Sequence, residues 1–158
     1  MKTLVIYYSY GGNTKRIAKK IQSIIGADIK EIETVVPYST DYNTVVDQGQ
    51  DEVNRGYMPD IKKLDINLDE YDKIVIGTPV WWYTFAPAIK TFLNNNSLEN
   101  KNIYPFATNG GWIGHTFKDF KKACPLSNVE KGINIRFDEN ILKTKESEIE
   151  DWARKIIA

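Results

Sequence analysis

The first residues that could do chemistry are gathered in one short segment near the start of the chain, Ser9-Tyr10-Gly11-Gly12-Asn13-Thr14. The segment follows an apolar run and precedes residues with helical periodicity, so it is predicted to lie at a helix N-terminus. Unpaired backbone N–H groups and the positive end of the helix dipole attract anions at such a place. The hydroxyl and amide side chains would add neutral donors. A terminal monophosphate is the anion that suits this segment best.

A plain helix cap after a glycine turn is the alternative interpretation of the same segment, because such caps are common. The segment matches neither the dinucleotide pattern G-x-G-x-x-G nor the triphosphate pattern G-x-x-x-x-G-K-[ST]. The choice between a cap and a phosphate site therefore depends on what else the fold brings to this place.

Two further segments combine aromatic, threonine and glycine residues. One is Thr78-Pro79-Val80-Trp81-Trp82-Tyr83, and the other is Thr108-Asn109-Gly110-Gly111-Trp112, with Gly114 two residues later. Together they hold three of the four tryptophans. A single tryptophan more commonly packs in a core, but tryptophans clustered at loop tips suit stacking on a flat heterocycle. The glycines would let backbone N–H groups approach the polar edge of that heterocycle.

Each of these segments follows an apolar run that is predicted to be a strand. The run at residues 3–8 is continuously apolar, which is typical of parallel strands covered by helices on both faces, and buried strands are also predicted at 73–79 and 102–108. Residues 28–34 and 129–137 alternate or mix polar and apolar residues, as strands near a sheet edge do. Helices are predicted after every strand, near residues 14–26, 43–55, 85–93, 114–124 and 149–157.

Strands that alternate with helices in this way predict an α/β fold, a doubly wound parallel sheet with helices on both faces. In open sheets of this kind, ligands lie outside the carboxyl ends of the strands, where the strand order reverses. If the first, third and fourth strands are neighbours, all three polar segments open onto one edge of the sheet. Their combination favours a ligand site over a simple helix cap.

On these residues the chain resembles the flavodoxins, a family of small proteins that bind FMN non-covalently for electron transfer. The likeness covers nearly the whole chain in its order of elements, and Ser9–Thr14 resembles the family's phosphate loop of the type T/S-x-T-G-x-T. The sequence departs from that pattern by having Gly11-Gly12-Asn13 where Thr-Gly-x is common. The resemblance implies a single flavodoxin-like domain over residues 1–158, with five parallel strands in the order 2-1-3-4-5.

The resemblance also implies which residues hold the cofactor. Ser9–Thr14 would surround the FMN phosphate, and Thr78–Tyr83 with Thr108–Gly114 would surround the isoalloxazine ring. Two aromatic side chains are expected to sandwich the ring, and Trp82 with Trp112 is the favoured pair, followed closely by Trp81. No residue is assigned a catalytic role.

Composition removes several other classes of function. Lys+Arg and Asp+Glu are both 21, so the chain has no basic excess with which to bind nucleic acid. The sequence has a single cysteine, Cys124, and a single histidine, His115, so it predicts no metal site. The apolar run at the N-terminus is too short for a signal peptide or a membrane span, so a cytoplasmic location without membrane contact is expected.

Two functions remain open. The first is electron transfer between redox partner proteins, with FMN at the carboxyl ends of the first, third and fourth strands. The alternative is an FMN-dependent NAD(P)H or quinone oxidoreductase with a two-electron cycle, in which residues 35–68 could supply a lid through Tyr57 and Met58. A phosphate-sensing receiver domain is disfavoured, because Ser9-Tyr10 stands where receivers need paired acidic residues. The three segments contain no Asp or Glu, which predicts a mild potential for the second electron.

Overall fold

The structure, a computed structural model, describes residues 2–158. In chain order its elements are β1 Lys2–Tyr7, α1 Asn13–Ile25, β2 Asp28–Glu31, α2 Tyr42–Asn54, a 3-10 turn Leu68–Glu70, β3 Tyr71–Trp81, β4 Thr84–Phe85, α3 Pro87–Asn95, β5 Asn102–Asn109, α4 Thr116–Ala123, β6 Asn128–Val129, β7 Ile133–Asp138, β8 Ile141–Leu142 and α5 Glu146–Ile156. No helix of the described residues is long and apolar enough to cross a membrane.

The strands form one sheet whose main path is β2-β1-β3-β5-β7-β8. β1 pairs in parallel with β2 on one side and β3 on the other, and the parallel pairing continues from β3 to β5 and from β5 to β7. The five longer strands thus run in one direction, and the strand order reverses beside β1. This confirms the predicted doubly wound α/β class.

Apolar side chains cover the sheet on both faces. On one face the core joins the sheet to α1 and α5 through residues such as Ile17 and Ile149. On the other face α3 and α4 pack through residues such as Phe92 and Phe120. Strand residues buried on alternate faces, such as Ile74 and Val75, are completely inaccessible to solvent, which explains why these strands read as continuous apolar runs.

Three short strands were not predicted, and the strands predicted at 28–34 and 129–137 differ most from the observed ones. β4 and β8 each add two residues in antiparallel pairing, and β6 adds two in parallel pairing at the beginning of β5. The predicted strand 129–137 is therefore divided, because β6 pairs with the first residues of β5 and β7 with its last residues. The strand predicted at 28–34 ends at Glu31, since Val35 already bonds to Asp60 of a later segment.

The centre of the sheet tolerates no additional side-chain atom at Gly77. A Cβ at this position would lie 2.1 Å from Cζ of Phe106, the fully buried residue opposite it on β5. We expect Gly77→Ala to lower the free energy of unfolding by about 1–3 kcal/mol, the usual cost of overpacking a core. Urea denaturation followed by circular dichroism measures this change.

Gly110→Ala is the matched control, because its nearest foreign atom would be 3.9 Å away and its φ lies outside the left-handed region. We expect this control to change stability by less than about 0.5 kcal/mol. Equal stability of the two variants would contradict the close approach of Phe106 to β3.

Candidate functional site

Three polar segments follow β1, β3 and β5, and we number them in chain order. Segment 1 is residues 9–14, segment 2 is residues 78–83 and segment 3 is residues 108–114. Because β1, β3 and β5 are adjacent parallel strands, their carboxyl ends lie at the same edge of the sheet. The predicted convergence of the three segments can therefore be examined contact by contact.

Segment 1 presents a row of backbone N–H groups. Gly11 and Gly12 have φ angles of 80° and 98°, which only glycine adopts without strain. Gly12 is the N-cap of α1 and has no side chain with which to cap the helix. Within residues 2–158, the backbone N–H groups of residues 10–14 have no hydrogen-bond partner, whereas the N–H of Lys15 donates to Oγ of Ser9 at 3.1 Å.

A buried hydrogen bond joins segment 1 to segment 3. The hydroxyl oxygens of Thr14 and Thr108 are 2.8 Å apart, and both residues are almost completely buried. These hydroxyls hold the first turn of α1 against the end of β5. They bond to each other, so they serve the framework of the site.

Segment 1 also contacts segment 2, through aromatic rings. Tyr10 and Trp81 pack edge to face with 6.0 Å between ring centroids. Trp81 meets Tyr8 and Tyr38 in the same way, at 5.9 and 5.0 Å. Trp81 therefore belongs to an aromatic cluster that covers the sheet beside segment 1.

Segment 2 contacts segment 3 at Tyr83. The rings of Tyr83 and Trp112 lie 5.4 Å apart, and the backbone N–H of His115 donates to the carbonyl of Tyr83 at 2.8 Å. A Cβ at Gly114 would lie 2.3 Å from that carbonyl oxygen, so only glycine permits this approach. Tyr83 is 47% exposed and Trp112 68% exposed, which leaves two adjacent aromatic surfaces open to solvent.

Trp82 contacts α2, and its predicted stacking on the flavin opposite Trp112 stays a prediction. The indole N–H of Trp82 donates to the carbonyl of Val46 on α2 at 3.0 Å. A Cβ at Gly49 of α2 would lie 3.2 Å from the ring of Trp81, which is a tight contact, and 3.8 Å from the ring of Trp82, which is an ordinary one. The neighbour of Trp112 across the two segments is Tyr83.

The positions of Trp82 and Tyr83 result from an unusual turn. β3 extends to Trp81, beyond its predicted end, and pairs with β4 through Val80–Phe85 and Trp81–Thr84. The two residues between the strands, Trp82 and Tyr83, have φ angles of 48° and 73°. Two successive left-handed residues are typical of a tight hairpin turn, a place that usually holds Asn-Gly. Bulky residues in this conformation are strained, and such strain is concentrated at functional sites.

The other predicted polar residues of segments 2 and 3 bond within the protein. The Thr78 hydroxyl donates to the carbonyl of Pro79 and accepts from the N–H of Ala86. The Asn109 amide accepts from the N–H of Gly111 at 2.9 Å and donates to Asn134. These side chains fix the shape of the two segments.

One network near the site was not predicted from the sequence. Glu52 of α2 is only 3% exposed, and its carboxylate accepts hydrogen bonds from the Tyr38 hydroxyl at 2.6 Å and from the Gln48 amide at 2.8 Å. Burial, followed by the bond to Glu52, holds the pKa of Tyr38 well above its usual range. The sequence feature that could have indicated this network is Glu52 itself, a polar residue on the narrow apolar face of the helix.

The aromatic residues of segment 2 and α2 enclose a cavity. Its volume is about 420 Å³, and its lining residues are Tyr10, Tyr42, Val45, Val46, Gly49, Val80, Trp81 and Trp82. Residues 35–68, the segment considered as a lid, line this cavity through residues of α2. Tyr57 lines a different cleft, and Met58 lines neither space.

The single histidine and the single cysteine lie outside segments 1, 2 and 3. His115 is at the N-cap of α4, where its ring bonds to Asp119. Cys124 is buried, and burial raises the pKa of its thiol, as expected for an unreactive cysteine. No group of metal-ligating side chains is present in residues 2–158.

Removing one hydroxyl of the Thr14–Thr108 bond should destabilise the protein more than removing both. Thr108→Val leaves the buried Thr14 hydroxyl without a partner, and we expect it to lower the free energy of unfolding by about 1–3 kcal/mol. The double variant Thr14→Val/Thr108→Val removes both polar groups with nearly the same shape, so it should be more stable than the single variant. Denaturation of the wild type and the three variants gives the coupling energy, and strictly additive changes would show that the two hydroxyls do not interact.

Other proteins of known structure share this fold. Comparison with curated protein sequences gave no match. Among solved structures, a candidate flavoprotein from Bacteroides eggerthii is 34% identical with a TM-score of 0.83, the match covering 99% of this chain and 98% of that one. A flavoprotein from Lactobacillus acidophilus, solved in complex with FMN, is 29% identical with a TM-score of 0.78, over 96% and 98% of the two chains.

A flavodoxin from Megasphaera elsdenii shares the fold at 16% identity and a TM-score of 0.62, over 98% of this chain and 97% of that one. The sequence model of the flavodoxin family matches residues 2–156, which is nearly the whole chain. The chain therefore belongs to the flavodoxin family.

Proposed function

We propose that this chain binds FMN non-covalently at the edge formed by segments 1, 2 and 3, and that it carries electrons between redox partner proteins. The observation on which the proposal chiefly rests is the row of unpartnered backbone N–H groups at residues 10–14. These groups lie on the same edge of the sheet as two adjacent, exposed aromatic side chains. A phosphate and a flat heterocycle joined by a short linker match this pair of features.

Segment 1 suits a phosphate through neutral donors. The N–H groups at the first turn of α1 and the helix dipole favour a negative group. Ser9 accepts from Lys15 through its oxygen, so its own hydroxyl proton is free to be donated. The Lys15 ammonium is 3.4 Å from Glu31, and this ion pair leaves the phosphate to the neutral groups.

Segments 2 and 3 suit the isoalloxazine ring. Tyr83 and Trp112 are the aromatic residues that would contact it, and the backbone around Gly110 and Gly111 would face its polar edge. When bound, the flavin supplies the ability to accept and release one or two electrons, and the protein adjusts that ability through stacking, hydrogen bonds and charge. The FMN complex of the Lactobacillus acidophilus relative supports FMN as the cofactor.

A two-electron NAD(P)H or quinone oxidoreductase is the second candidate. The observation that favours it is the cavity of about 420 Å³ between α2 and segment 2, because this space could admit a small flat acceptor. An electron carrier needs no such space, since electrons pass to a docked protein through the exposed part of the ring.

An anaerobic reductive titration of the FMN-loaded protein, followed by absorbance, distinguishes the two candidates. Reduction in two separate one-electron steps, with no direct reduction by NADH or NADPH, is expected for the carrier. A single two-electron step with rapid reduction by either nucleotide would favour the oxidoreductase. Failure of the protein to bind FMN would contradict both.

The phosphate contact can be tested at Ser9. Ser9→Ala removes one hydroxyl donor and should weaken FMN binding about tenfold, as expected for one hydrogen bond to a charged group. Riboflavin lacks the phosphate, so its affinity should not change. Flavin fluorescence quenching measures both affinities, and Ser23→Ala on the exposed face of α1 is the matched control. An equal loss for riboflavin and FMN would contradict a phosphate at segment 1.

The charge near segment 3 predicts an effect on the second reduction potential. Nε of Arg136 lies 3.9 Å from the position that a Cβ would take at Gly111, so its positive charge adjoins segment 3. This charge should favour the fully reduced, negatively charged flavin. We expect Arg136→Gln to lower the second potential by on the order of 10–40 mV, the range of an exposed charge interaction.

Lys155→Gln is the control for this change of net charge. Lys155 is exposed near the end of α5, and its neighbour Ile156 accepts a bond from Lys73 at the beginning of β3, the opposite edge of the sheet. Spectroelectrochemical titration of both variants provides the comparison. Equal potentials in the wild type and Arg136→Gln would show that Arg136 does not act on the ring.

A further inference from the structure

A second cleft lies beside the candidate flavin site and takes no part in the proposed function. Its volume is about 430 Å³, and it is enclosed by the end of α2, the beginning of α3, β4 and α4. Its apolar walls include Val53, Tyr57, Phe85, Pro87 and Ala123. Flat and aliphatic surfaces of this kind favour an apolar body, as in most small-molecule sites.

Two cations at the cleft have no carboxylate partner. Lys90 and Lys122 both line the space and are exposed. Within residues 2–158, neither ammonium lies within 4.0 Å of a carboxylate oxygen. Among the described residues, the Lys90 ammonium donates one hydrogen bond, to the carbonyl of Gly56 at 3.4 Å. Both charges are therefore available to a ligand.

The two carboxylates at the cleft are already bonded by the protein. Asp119 accepts hydrogen bonds from the Thr84 hydroxyl and the His115 ring. Glu52 accepts from Tyr38 and Gln48. The acidic groups thus have their own donors, whereas the two lysines are the charged groups of the cleft that an anionic ligand group would face without displacing a protein partner.

We infer that this cleft is a binding site for a small organic anion with a flat apolar body, of the class of aromatic carboxylates. The body lies between Tyr57 and Phe85, and the carboxylate faces Lys90 and Lys122. The inference does not rest on flavin binding, because none of the lining residues belongs to segments 1, 2 or 3. The site nevertheless adjoins those segments, since Thr84 follows Tyr83 and His115 follows Gly114 in the chain.

The test uses 2-naphthoate as the probe and its neutral analogue 2-naphthamide. Each is titrated into the full-length, ¹⁵N-labelled protein with no flavin added, and amide shifts are recorded. We expect saturable shifts for naphthoate at Gly56, Thr84, His115 and Lys122, and weaker binding of the amide. Repeating the titration after saturation with FMN should give the same shifts, which separates this site from the flavin site.

Substitution of the two lysines measures how much their positive charges contribute to naphthoate binding. Lys90→Gln/Lys122→Gln should weaken naphthoate binding about three- to tenfold, as expected for two exposed charge interactions, and should leave naphthamide unaffected. Lys118→Gln/Lys121→Gln is the matched control, because it removes the same net charge from exposed positions of α4 that do not line the cleft.

Three results would overturn the inference. The first is the absence of saturable shifts at the cleft, and the second is equal binding of naphthoate and naphthamide. The third is an equal loss of naphthoate affinity in the control variant, which would indicate attraction by net charge alone.

Discussion

The parallel pairing of β1, β3 and β5 is the constraint on which the site depends. In this register Tyr7 lies opposite Gly77 and Pro79 lies opposite Thr108, so the chain leaves all three strands at the same edge. The ring of Phe106 lies across Gly77, which holds β3 and β5 in this alignment. A shift of one residue would turn each buried side chain to the other face of the sheet. The apolar core therefore determines where the polar segments meet.

Hydrophobic patterning predicted the longer strands and their covering helices, and the meeting of the three segments followed on the condition that the first, third and fourth strands are neighbours. It could not predict which aromatic side chain would stand beside Trp112. That choice depends on the two-residue turn between β3 and β4 and on the bond from Trp82 to the carbonyl of Val46, which lies 36 positions earlier on α2. Such contacts join distant parts of the chain, and they leave no periodic signal in the sequence. The same is true of Glu52 and Tyr38, whose bond spans two elements.

The side-chain hydroxyls and the backbone N–H groups have separate tasks at this edge. The buried hydroxyls of Thr14, Thr78 and Thr108 all bond to protein groups, because a buried hydroxyl without a partner is costly. The backbone N–H groups of residues 10–14 have no such partner within the described residues, and Gly11 and Gly12 with positive φ shape this part of the chain. Among the described residues, the hydroxyl proton of Ser9 likewise has no protein acceptor. The buried threonines thus build the framework of this edge, whereas these backbone groups and Ser9 are not engaged by the framework.

Net charge is a poor guide to the field at this edge. The whole chain is neutral, yet the charged groups around the segments are unevenly arranged. Arg136 adjoins segment 3, while the acidic groups near α2 and α4 are bonded to Tyr38, Gln48, Thr84 and His115. Acidic groups that accept hydrogen bonds from neighbours have part of their potential offset locally, but they keep their negative charge. The field at this edge therefore depends on the positions of individual charged side chains, such as Arg136 beside segment 3, more than on the net charge of the chain.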